Sequence, residues 1–280
     1  MIIWLSSYPK NGNTWLRSLI SAYYYTKDGF FLGDKQLRNI QQFPTKKFLE
    51  DFDYNLEKPG DTVQHWVEAQ KKINLDNKIK FLKTHFLNCK VDKYNFTDQN
   101  NTLGTIHIVR DPRNIISSLK NHYLLNDYNE ASEFLFNEEK WIVEKENKQL
   151  IHAPILLSSW ATHYNMWKQS KKNYLLIKYE NLLTDPVNEF LKITDFLGSI
   201  VKFKFEEKEI LELIENCKFE KFSNQEDNHG FIDNSSTNKS LRKKFFKLGP
   251  NNNWEKLLDS QIRVKIEKTF ENEMKELQYL

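Results

Sequence analysis

The sequence is poor in cysteine and has no long apolar run. Its 280 residues include two cysteines, Cys89 and Cys217, which lie far apart and form no CxxC pair. We therefore expect neither a zinc site nor a disulfide framework, and we predict free thiols in a reducing compartment. No run approaches the roughly 20 apolar residues that cross a bilayer, and the initial MIIWL is too short for the apolar region of a signal peptide. These absences predict a cytoplasmic protein without a membrane span.

The sequence also lacks a strong charge imbalance and a flexible linker. Its 41 lysine and arginine residues nearly balance its 38 aspartate and glutamate residues, which leaves a net charge of +3. Composition alone therefore predicts neither a nucleic-acid partner nor an anionic membrane. A hydrophobic content of 39% is enough for a core, and no stretch rich in Pro, Gly and Ser divides the chain. We predict a single domain that spans residues 1–280.

Short apolar runs alternate with helical patterns along the chain. Four runs predict buried strands: residues 2–5 (IIWL), 79–82 (IKFL), 105–109 (TIHIV) and 174–178 (YLLIK). They are rich in β-branched and aromatic residues and do not alternate strictly, as expected of strands covered on both faces. Because helical patterns lie between them, we predict an α/β fold with a central, mainly parallel sheet flanked by helices.

Capping residues indicate where two of the helices begin. The DP pairs at 111–112 and 185–186 combine an N-cap aspartate with a proline at the first helical position. We expect Gly198 to close the second of these helices. An apolar stripe predicts a single last helix from about Trp254, with its apolar side chains in the core.

Two polar stretches, residues 28–60 and 218–253, show no periodicity. The second ends in the basic cluster RKKFFK. Long polar segments inside a compact domain are either disordered or functional lids. We expect lids here because of the basic cluster.

The stretch SSYPKNGNTWLRSLI, residues 6–20, has the form of a phosphate-binding loop between a strand and a helix. A Walker-type loop follows GxxxxGK[ST], with its lysine directly after the last glycine. Here Lys10 precedes Gly12 and no glycine stands upstream, so the pattern argues against a nucleotide triphosphatase. The backbone N–H groups and the helix dipole still favour an anion. A plain strand, turn and helix remains an alternative for this stretch taken alone.

Five segments in order resemble the sulfotransferases that use 3′-phosphoadenosine-5′-phosphosulfate (PAPS), in particular the cytosolic type. They are YPKNGNTW at the first strand, KTHF (83–86), VRDPRNIISSLKNHY (109–123), IKYENLLTDP (177–186) and RKKFFKLGPNNNW (242–254). The resemblance implies a P-loop NTPase-like sulfotransferase fold over nearly the whole chain. It also implies PAPS as co-substrate and adenosine 3′,5′-bisphosphate (PAP) as product.

The resemblance assigns the 5′-phosphosulfate to the loop. The residues that match the family's YPKSGTTW are Lys10, Asn11, Gly12, Asn13, Thr14 and Trp15. Trp15 is also expected to stack on the adenine. Asn11 and Asn13 replace the usual Ser and Thr, so we expect an amide contact to the nucleotide at Asn13 where the family has a hydroxyl contact.

The resemblance assigns the 3′-phosphate to two separate segments. Arg110 and Ser118 match its Arg and Ser, and Arg242 and Lys243 match the family's closing RKG, with Lys244 in place of the glycine. In the same segment NNNW, residues 251–254, stands where the family usually has GDW. Arginine suits a phosphate because its donors form a fork.

Further contacts to the adenine are implied for Tyr179 and Phe219. From the residues alone, Arg110 has an alternative role, an ion pair with a nearby carboxylate such as Asp111.

The matching residues also imply a mechanism of one in-line displacement. His85 is expected to act as general base, since its ordinary pKa near 6.5 suits that task near neutral pH. Lys10 and Lys83 are expected to stabilise charge on the leaving nucleotide. Ser118 is expected to hold Lys10 aside until an acceptor arrives. No metal is expected, because the transferred group carries less charge than a phosphoryl group.

The acceptor is not specified by any motif. We expect a small molecule or lipid with a hydroxyl group, or an amine, and we expect no nucleic acid as partner. Aromatic residues in the variable stretches favour an acceptor with an apolar portion: Phe30, Phe31, Trp66, Phe134 and Trp141. The oligomeric state stays open, with a homodimer as one possibility. Two other functions remain: a non-catalytic binder of phosphorylated nucleotides or nucleic acid, and a P-loop kinase.

Overall fold

A computed structural model describes residues 1–26, 33–55, 57–58, 60–143, 145–146, 149–150, 153–170, 172–201, 207–231 and 244–280. Its strands are β1 (Ile2–Ser6), β2 (Gln41–Gln42), β3 (Lys80–Thr84), β4 (Lys90–Val91), β5 (Tyr94–Asn95), β6 (Thr102–Val109), β7 (Trp141–Ile142), β8 (Lys145–Glu146), β9 (Gln149–Leu150), β10 (Ile155–Leu156) and β11 (Tyr174–Lys178).

The helices follow the strands in an alternating order. They are α1 (Asn13–Tyr25), α2 (Asp34–Leu37), α3 (Lys46–Leu49), α4 (Trp66–Asn74), α5 (Pro112–His122), α6 (Tyr128–Phe136), α7 (Trp160–Lys168), α8 (Tyr179–Thr184), α9 (Pro186–Val201), α10 (Glu207–Asn216), α11 (Phe219–His229), α12 (Trp254–Leu257), α13 (Ser260–Thr269) and α14 (Glu271–Glu276), with short 3₁₀ turns at Val63–His65 and Gly249–Asn251. Within the described residues, no helix is both long and apolar enough to cross a bilayer.

Five parallel strands form the central sheet in the order β11, β6, β1, β3, β2. The four predicted strands are confirmed, and β6 begins earlier than predicted, at Thr102. The edge strand β2 was not predicted, because two glutamines offer no apolar signal. Since the strands are parallel, their carboxyl ends open at one edge of the sheet, where ligands bind in such folds.

The central strands are buried on both faces, as their composition predicts. In β1, Ile2 and Trp4 pack into one apolar cluster, while Ile3 and Leu5 pack into the other. All four side chains are fully buried. This double burial explains why the run IIWL lacks an apolar and polar alternation.

The predicted start of α5 is confirmed. The Asp111 carboxylate accepts a hydrogen bond of 2.9 Å from the Arg113 backbone N–H, and Pro112 takes the first helical position. The predicted stop of α9 is wrong, because the helix passes through Gly198 and ends at Val201. A helical glycine costs up to about 1 kcal/mol. The apolar face of α9, which includes the buried Leu197, packs into the core and offsets that cost.

The single last helix is also wrong, although its core stripe is confirmed. The chain leaves the helical conformation at Leu258, and the Asp259 carboxylate caps a new helix at Gln261. A second break follows at Phe270. The stripe stays buried because each short segment turns its apolar face to the core, at Ile262, Ile266, Phe270, Met274 and Leu277.

The two polar stretches contain more structure than their sequence predicts. Helices α2 and α3 and strand β2 fall within the first, and α11 falls within the second. Residues 27–32 and 232–243 lie outside the described part of the chain, so the predicted lids stay predictions.

Candidate active site

A cavity of about 830 Å³ opens at the carboxyl ends of the central strands. Lys10 follows β1, His85 follows β3, Arg110 follows β6 and Tyr179 follows β11, and all four line the cavity. The parallel sheet therefore brings together residues that are up to 169 positions apart in the sequence, counted from Lys10 to Tyr179. The described residues contain no cluster of His, Cys, Asp and Glu suited to a metal ion.

The loop between β1 and α1 holds a strained backbone. Lys10 adopts a φ of 68° and Gly12 a φ of 98°, both in the left-handed region. A Cβ at Gly12 would lie 2.5 Å from Cδ2 of Tyr179, so only glycine fits. No side chain caps the start of α1. The first N–H groups of such a helix are a binding site for an anion.

The side-chain amides of the two loop asparagines donate within the protein, and the contact between Asn13 and a nucleotide stays a prediction. The Asn13 amide donates to the carbonyl of Leu5 and to Oγ of Ser7, both at 3.0 Å. Asn11 donates to the carbonyl of Ile108 at 3.3 Å. Both side chains are almost fully buried. They stabilise the loop from behind, and the backbone remains the part that faces the cavity.

His85 is held by the neighbouring strand through Ser7. Its Nδ1 lies 2.7 Å from the Ser7 carbonyl oxygen and 3.2 Å from the Ser7 hydroxyl. A carbonyl oxygen only accepts, so Nδ1 carries the proton and Nε2 is the unprotonated nitrogen. Burial, and then the positive charge of Lys83, lower the pKa of His85 well below its usual 6.5. The ring is therefore neutral at neutral pH and able to accept a proton at Nε2.

Lys10 and Lys83 both line the cavity. The Lys10 ammonium lies 3.7 Å from the centroid of the Phe245 ring, close enough for a cation–π contact. Phe245 belongs to the segment that follows residues 232–243, so the basic loop and the C-terminal segment meet over the cavity. The predicted contact between Ser118 and Lys10 stays a prediction.

Arg110 lines the cavity, and within the described residues it forms no ion pair with Asp111, the carboxylate named in the alternative. Asp111 forms its ion pair with Arg113 at 2.7 Å instead. The Arg110 guanidinium stacks on the Tyr179 ring at 4.1 Å, and it donates to the Lys10 carbonyl at 3.4 Å. Its buried Nε has no hydrogen-bond partner within the described residues. A buried donor of this kind needs an acceptor, and an anion in the cavity would supply one.

Ser118 lies on α5 and lines the same cavity as Arg110. Asn252 of the C-terminal segment forms hydrogen bonds to α5. The Asn252 amide donates to the carbonyl of Asn114 at 2.7 Å and to Oγ of Ser118 at 3.5 Å, while its oxygen accepts from Ser117 at 2.7 Å. Since Ser118 accepts from Asn252, its own proton is left to donate elsewhere.

The aromatic residues expected at the adenine line one side of the cavity. The rings of Trp15 and Tyr179 meet edge to face at 5.9 Å, and Phe219 packs against Phe246 at 5.9 Å. The buried Nε1 of Trp15 also has no hydrogen-bond partner within the described residues. Arg242 and Lys243 lie outside those residues, so their predicted contact with a 3′-phosphate stays a prediction.

Three further residues at the site were not predicted: Ser7, Gln42 and Asn252. Ser7 binds His85, Gln42 lies beside Lys83 in the sheet, and Asn252 binds α5. The only sequence signal was the position of Ser7 at the end of a predicted strand. Gln42 follows no recognisable strand pattern, and Asn252 lies in a polar stretch without periodicity.

Comparison with known proteins adds to this geometry. The sulfotransferase domain model matches residues 2–278. The chain belongs to the sulfotransferase domain family. A flavonol 3-sulfotransferase of Flaveria bidentis is 24% identical over 277 residues, with 97% of this chain and 81% of the relative covered. Cytosolic sulfotransferase 13 of Arabidopsis thaliana is 23% identical over 276 residues, with 95% and 74% covered.

Solved sulfotransferase structures share the fold. A mouse sulfotransferase in complex with PAP superposes with a TM-score of 0.61 at 19% identity, over 97% of this chain and 83% of the other. Retinol dehydratase in complex with androsterone and PAP gives a TM-score of 0.59 at 18% identity, over 98% and 80%. The chain thus has the mainly parallel, helix-flanked sulfotransferase fold that its motifs predict, and it is a sulfotransferase by family.

Proposed function

We propose that this sulfotransferase moves a sulfuryl group from PAPS to an acceptor hydroxyl, with His85 as general base. The observation that carries the proposal is the His85 ring itself: Nδ1 is bound to the Ser7 carbonyl, so the basic Nε2 is available in a cavity that Lys10 and Lys83 also line. A protein that only binds a nucleotide has no need of this arrangement.

The cavity fits the two ends of the donor nucleotide. Lys10 and the start of α1 suit the 5′-phosphosulfate, and the unsatisfied Nε of Arg110 with the hydroxyl of Ser118 suits a 3′-phosphate. Adenine fits beside Trp15 and Tyr179, whose rings line the cavity between these two groups. The remaining loop positions, Asn11, Gly12, Asn13 and Thr14, contribute through the backbone.

The reaction follows from these positions. Nε2 of His85 takes the proton of the acceptor hydroxyl, the acceptor oxygen forms the new bond to sulfur, and the bond from sulfur to the bridging phosphate oxygen breaks. The electron pair of that bond leaves with PAP, where Lys10 and Lys83 stabilise the charge. A base of this kind contributes roughly 10²- to 10⁴-fold in rate.

An apolar acceptor with a hydroxyl group suits the part of the cavity next to His85. The lining of the cavity includes Leu124 and three apolar residues around β7 and β10, Ile142, Ala153 and Ile155. Of the aromatic residues expected there, Trp66 and Phe134 are buried in the core and Trp141 is partly buried against Phe86. Phe30 and Phe31 lie outside the described residues, so their expected place at the acceptor stays a prediction.

The charges that line the cavity also restrict which acceptor it can hold. Within the described residues, one carboxylate lines the cavity, Glu220 of α11, next to Phe219 on the proposed adenine side. A cationic amine would therefore meet lysines near His85 without a compensating carboxylate. We propose a small neutral phenol, alcohol or lipid hydroxyl as acceptor.

We also propose that residues 1–280 act as one domain in the cytoplasm. The central sheet contributes side chains to both apolar clusters, and one similar plant protein is named a cytosolic sulfotransferase.

A ligand panel and a transfer assay test the function together. We expect PAP to raise the melting temperature without magnesium, and ATP with magnesium to leave it nearly unchanged. We then expect transfer of radiolabelled sulfuryl from PAPS to phenols or alcohols in a metabolite and lipid extract, with little transfer to matched amines. Stabilisation by ATP with magnesium would favour a kinase, and stabilisation by PAP without transfer to any acceptor would favour a non-catalytic binder.

A further inference from the structure

Three histidines, His85, His107 and His163, lie close together at the cavity. The proposed mechanism uses His85. His107 is accounted for by its hydrogen bond to the Tyr174 hydroxyl at 2.8 Å. His163 on α7 is fully buried, and its ring is 6.0 Å from that of His107. The Nε2 of His163 lies 3.2 Å from the backbone carbonyl oxygen of His85. A buried imidazole is a costly way to fill space, so this contact calls for an explanation.

The direction of that contact is settled by chemistry. A carbonyl oxygen only accepts, so Nε2 of His163 carries the proton. Burial lowers the pKa of His163 to about 3, so the ring is neutral. Its Nδ1 has no hydrogen-bond partner within the described residues. Within the described part of the chain, the bond to the His85 carbonyl is therefore the one hydrogen bond of this ring.

The segment after β3 is anchored at three successive residues. The carbonyl of His85 accepts from His163, the carbonyl of Phe86 accepts from Nε1 of Trp167 at 2.9 Å, and the N–H of Leu87 donates to Leu156 at 2.8 Å. His163 and Trp167 are four residues apart and so share one face of α7. The peptide that follows His85 therefore has a fixed orientation.

We propose that His163 is a positioning residue for His85: its Nε2–H fixes the His85 carbonyl, and this keeps the His85 ring on Ser7. The His85 ring and its carbonyl belong to one residue, so a rotated peptide shifts the ring away from the Ser7 carbonyl, 2.7 Å from Nδ1. The Nδ1–H form would then lose its partner, and Nε2 would no longer be the defined proton acceptor. The inference rests on the proposed function, because His85 is its general base.

The matched variants are His163→Gln and His163→Met. Glutamine and methionine have similar length and volume, and both remove the imidazole, but only glutamine keeps an N–H donor. Lys83, His122 and His163 all face His85 and lower its pKa. Since both variants remove His163 equally, a difference between them reports the hydrogen bond and not the charge environment. His107→Gln is the control, because His107 is buried nearby and its hydrogen bond goes to the Tyr174 hydroxyl.

We expect His163→Met to lower kcat on the order of 10-fold relative to His163→Gln, within the roughly 100-fold that a 1 Å misplacement can cost. KM for PAPS and the affinity for PAP should be unchanged in both. Long-range ¹H–¹⁵N spectra of the imidazoles, assigned with His85→Gln, should show His85 as the Nδ1–H form in wild type and in His163→Gln, and as a mixture in His163→Met. His107→Gln should match wild type in kcat and in the His85 spectrum.

Equal kcat and equal His85 spectra for the Gln and Met variants would overturn the proposal. If the Met variant does not fold, the Gln variant alone decides, because loss of turnover or of the Nδ1–H form with the donor present would also overturn it. The spectra do not depend on turnover. The wild-type protein could fail to transfer sulfuryl groups while the His85 spectrum still differs between the Gln and Met variants. That result would contradict the proposed function but support the positioning role of His163.

Discussion

The two ends of the proposed nucleotide site are built in different ways. The catalytic end, defined by Lys10, Lys83 and His85, stands on the ends of the central strands β1 and β3. The 3′-phosphate end, defined by Arg110, Ser118 and Asn252, joins the end of β6 and helix α5 to a C-terminal segment. The first end takes its positions from two neighbouring strands, with further contacts from Phe245 to Lys10 and from His163 to His85. The second depends on a contact between regions more than 130 residues apart, as the separation of Asn252 and Ser118 shows.

This difference shows at which end of the site a family motif predicts the geometry. The sheet fixes the positions of residues at the ends of its strands. Residues 83–85, at the end of β3, keep the KTH pattern of the family. At the other end the usual GDW is replaced by NNNW, and the side chain of Asn252 forms three hydrogen bonds to α5. The departure from the family pattern therefore comes with new contacts of its own.

The largest expected effect lies at the catalytic end. His85→Ala should lower kcat by about 10²- to 10⁴-fold, because the proposed general base is lost. PAP should still raise the melting temperature as in wild type, since the 3′-phosphate end is intact. Single-turnover transfer and thermal shift measure the two properties separately. Transfer at the wild-type rate would show that His85 is not the base.

The next effect lies at the 3′-phosphate end. Arg110→Met should weaken PAP binding by roughly 10- to 100-fold, as expected for one charge-assisted hydrogen-bonding group worth about 1.5–3 kcal/mol. Adenosine 5′-phosphate lacks the 3′-phosphate and serves as the control ligand, whose affinity should change little. Calorimetric titration of both ligands measures the difference. Equal losses would remove Arg110 from the 3′-phosphate site.

The pH dependence should separate the two ends. Burial and Lys83 lower the pKa of His85, and the base works in its deprotonated form, so kcat should hold constant as pH falls and decline only below pH 6.5. Lys83→Met removes a positive charge, which raises the pKa of His85 and should move the acid limb of its residual activity to higher pH. Arg110→Met, which leaves the catalytic end unchanged, is the control. An acid limb that stays in place in Lys83→Met would contradict this electrostatic coupling.

The smallest effect should come from Asn252. Asn252→Gly restores the glycine usual in the family and removes the hydrogen bonds to α5, each worth about 0.5–1.5 kcal/mol net. We expect PAP binding to weaken by roughly 2- to 10-fold, with the kcat of the saturated enzyme nearly unchanged. Asn253→Asp, which restores the family's neighbouring aspartate and keeps the cap on α12, is the matched control. A large loss of kcat in Asn252→Gly would show that the two ends are not separable.

The elements predicted from sequence are those with a local cause. The strands IIWL and YLLIK follow from their apolar runs, and the start of α5 follows from its Asp-Pro cap. The end of α9 at Val201 could not be read from Gly198, because packing against the core outweighed the local cost of a helical glycine. The break at Leu258 does have a local signal, the capping Asp259, which the continuous apolar stripe concealed, whereas the break at Phe270 has no capping residue.

The sequence by itself determined the family, the parallel sheet and the residues that meet at its carboxyl edge, because motifs at strand ends need only the strand order to converge. Only the tertiary structure decided how those residues are held. The inward amides of Asn11 and Asn13, the tautomer of His85 on Ser7, and the support from His163 and Asn252 all depend on partners that are distant in sequence or unmarked by any motif. Hydrogen bonds of this kind arise from packing in three dimensions, and no periodicity in the chain encodes them.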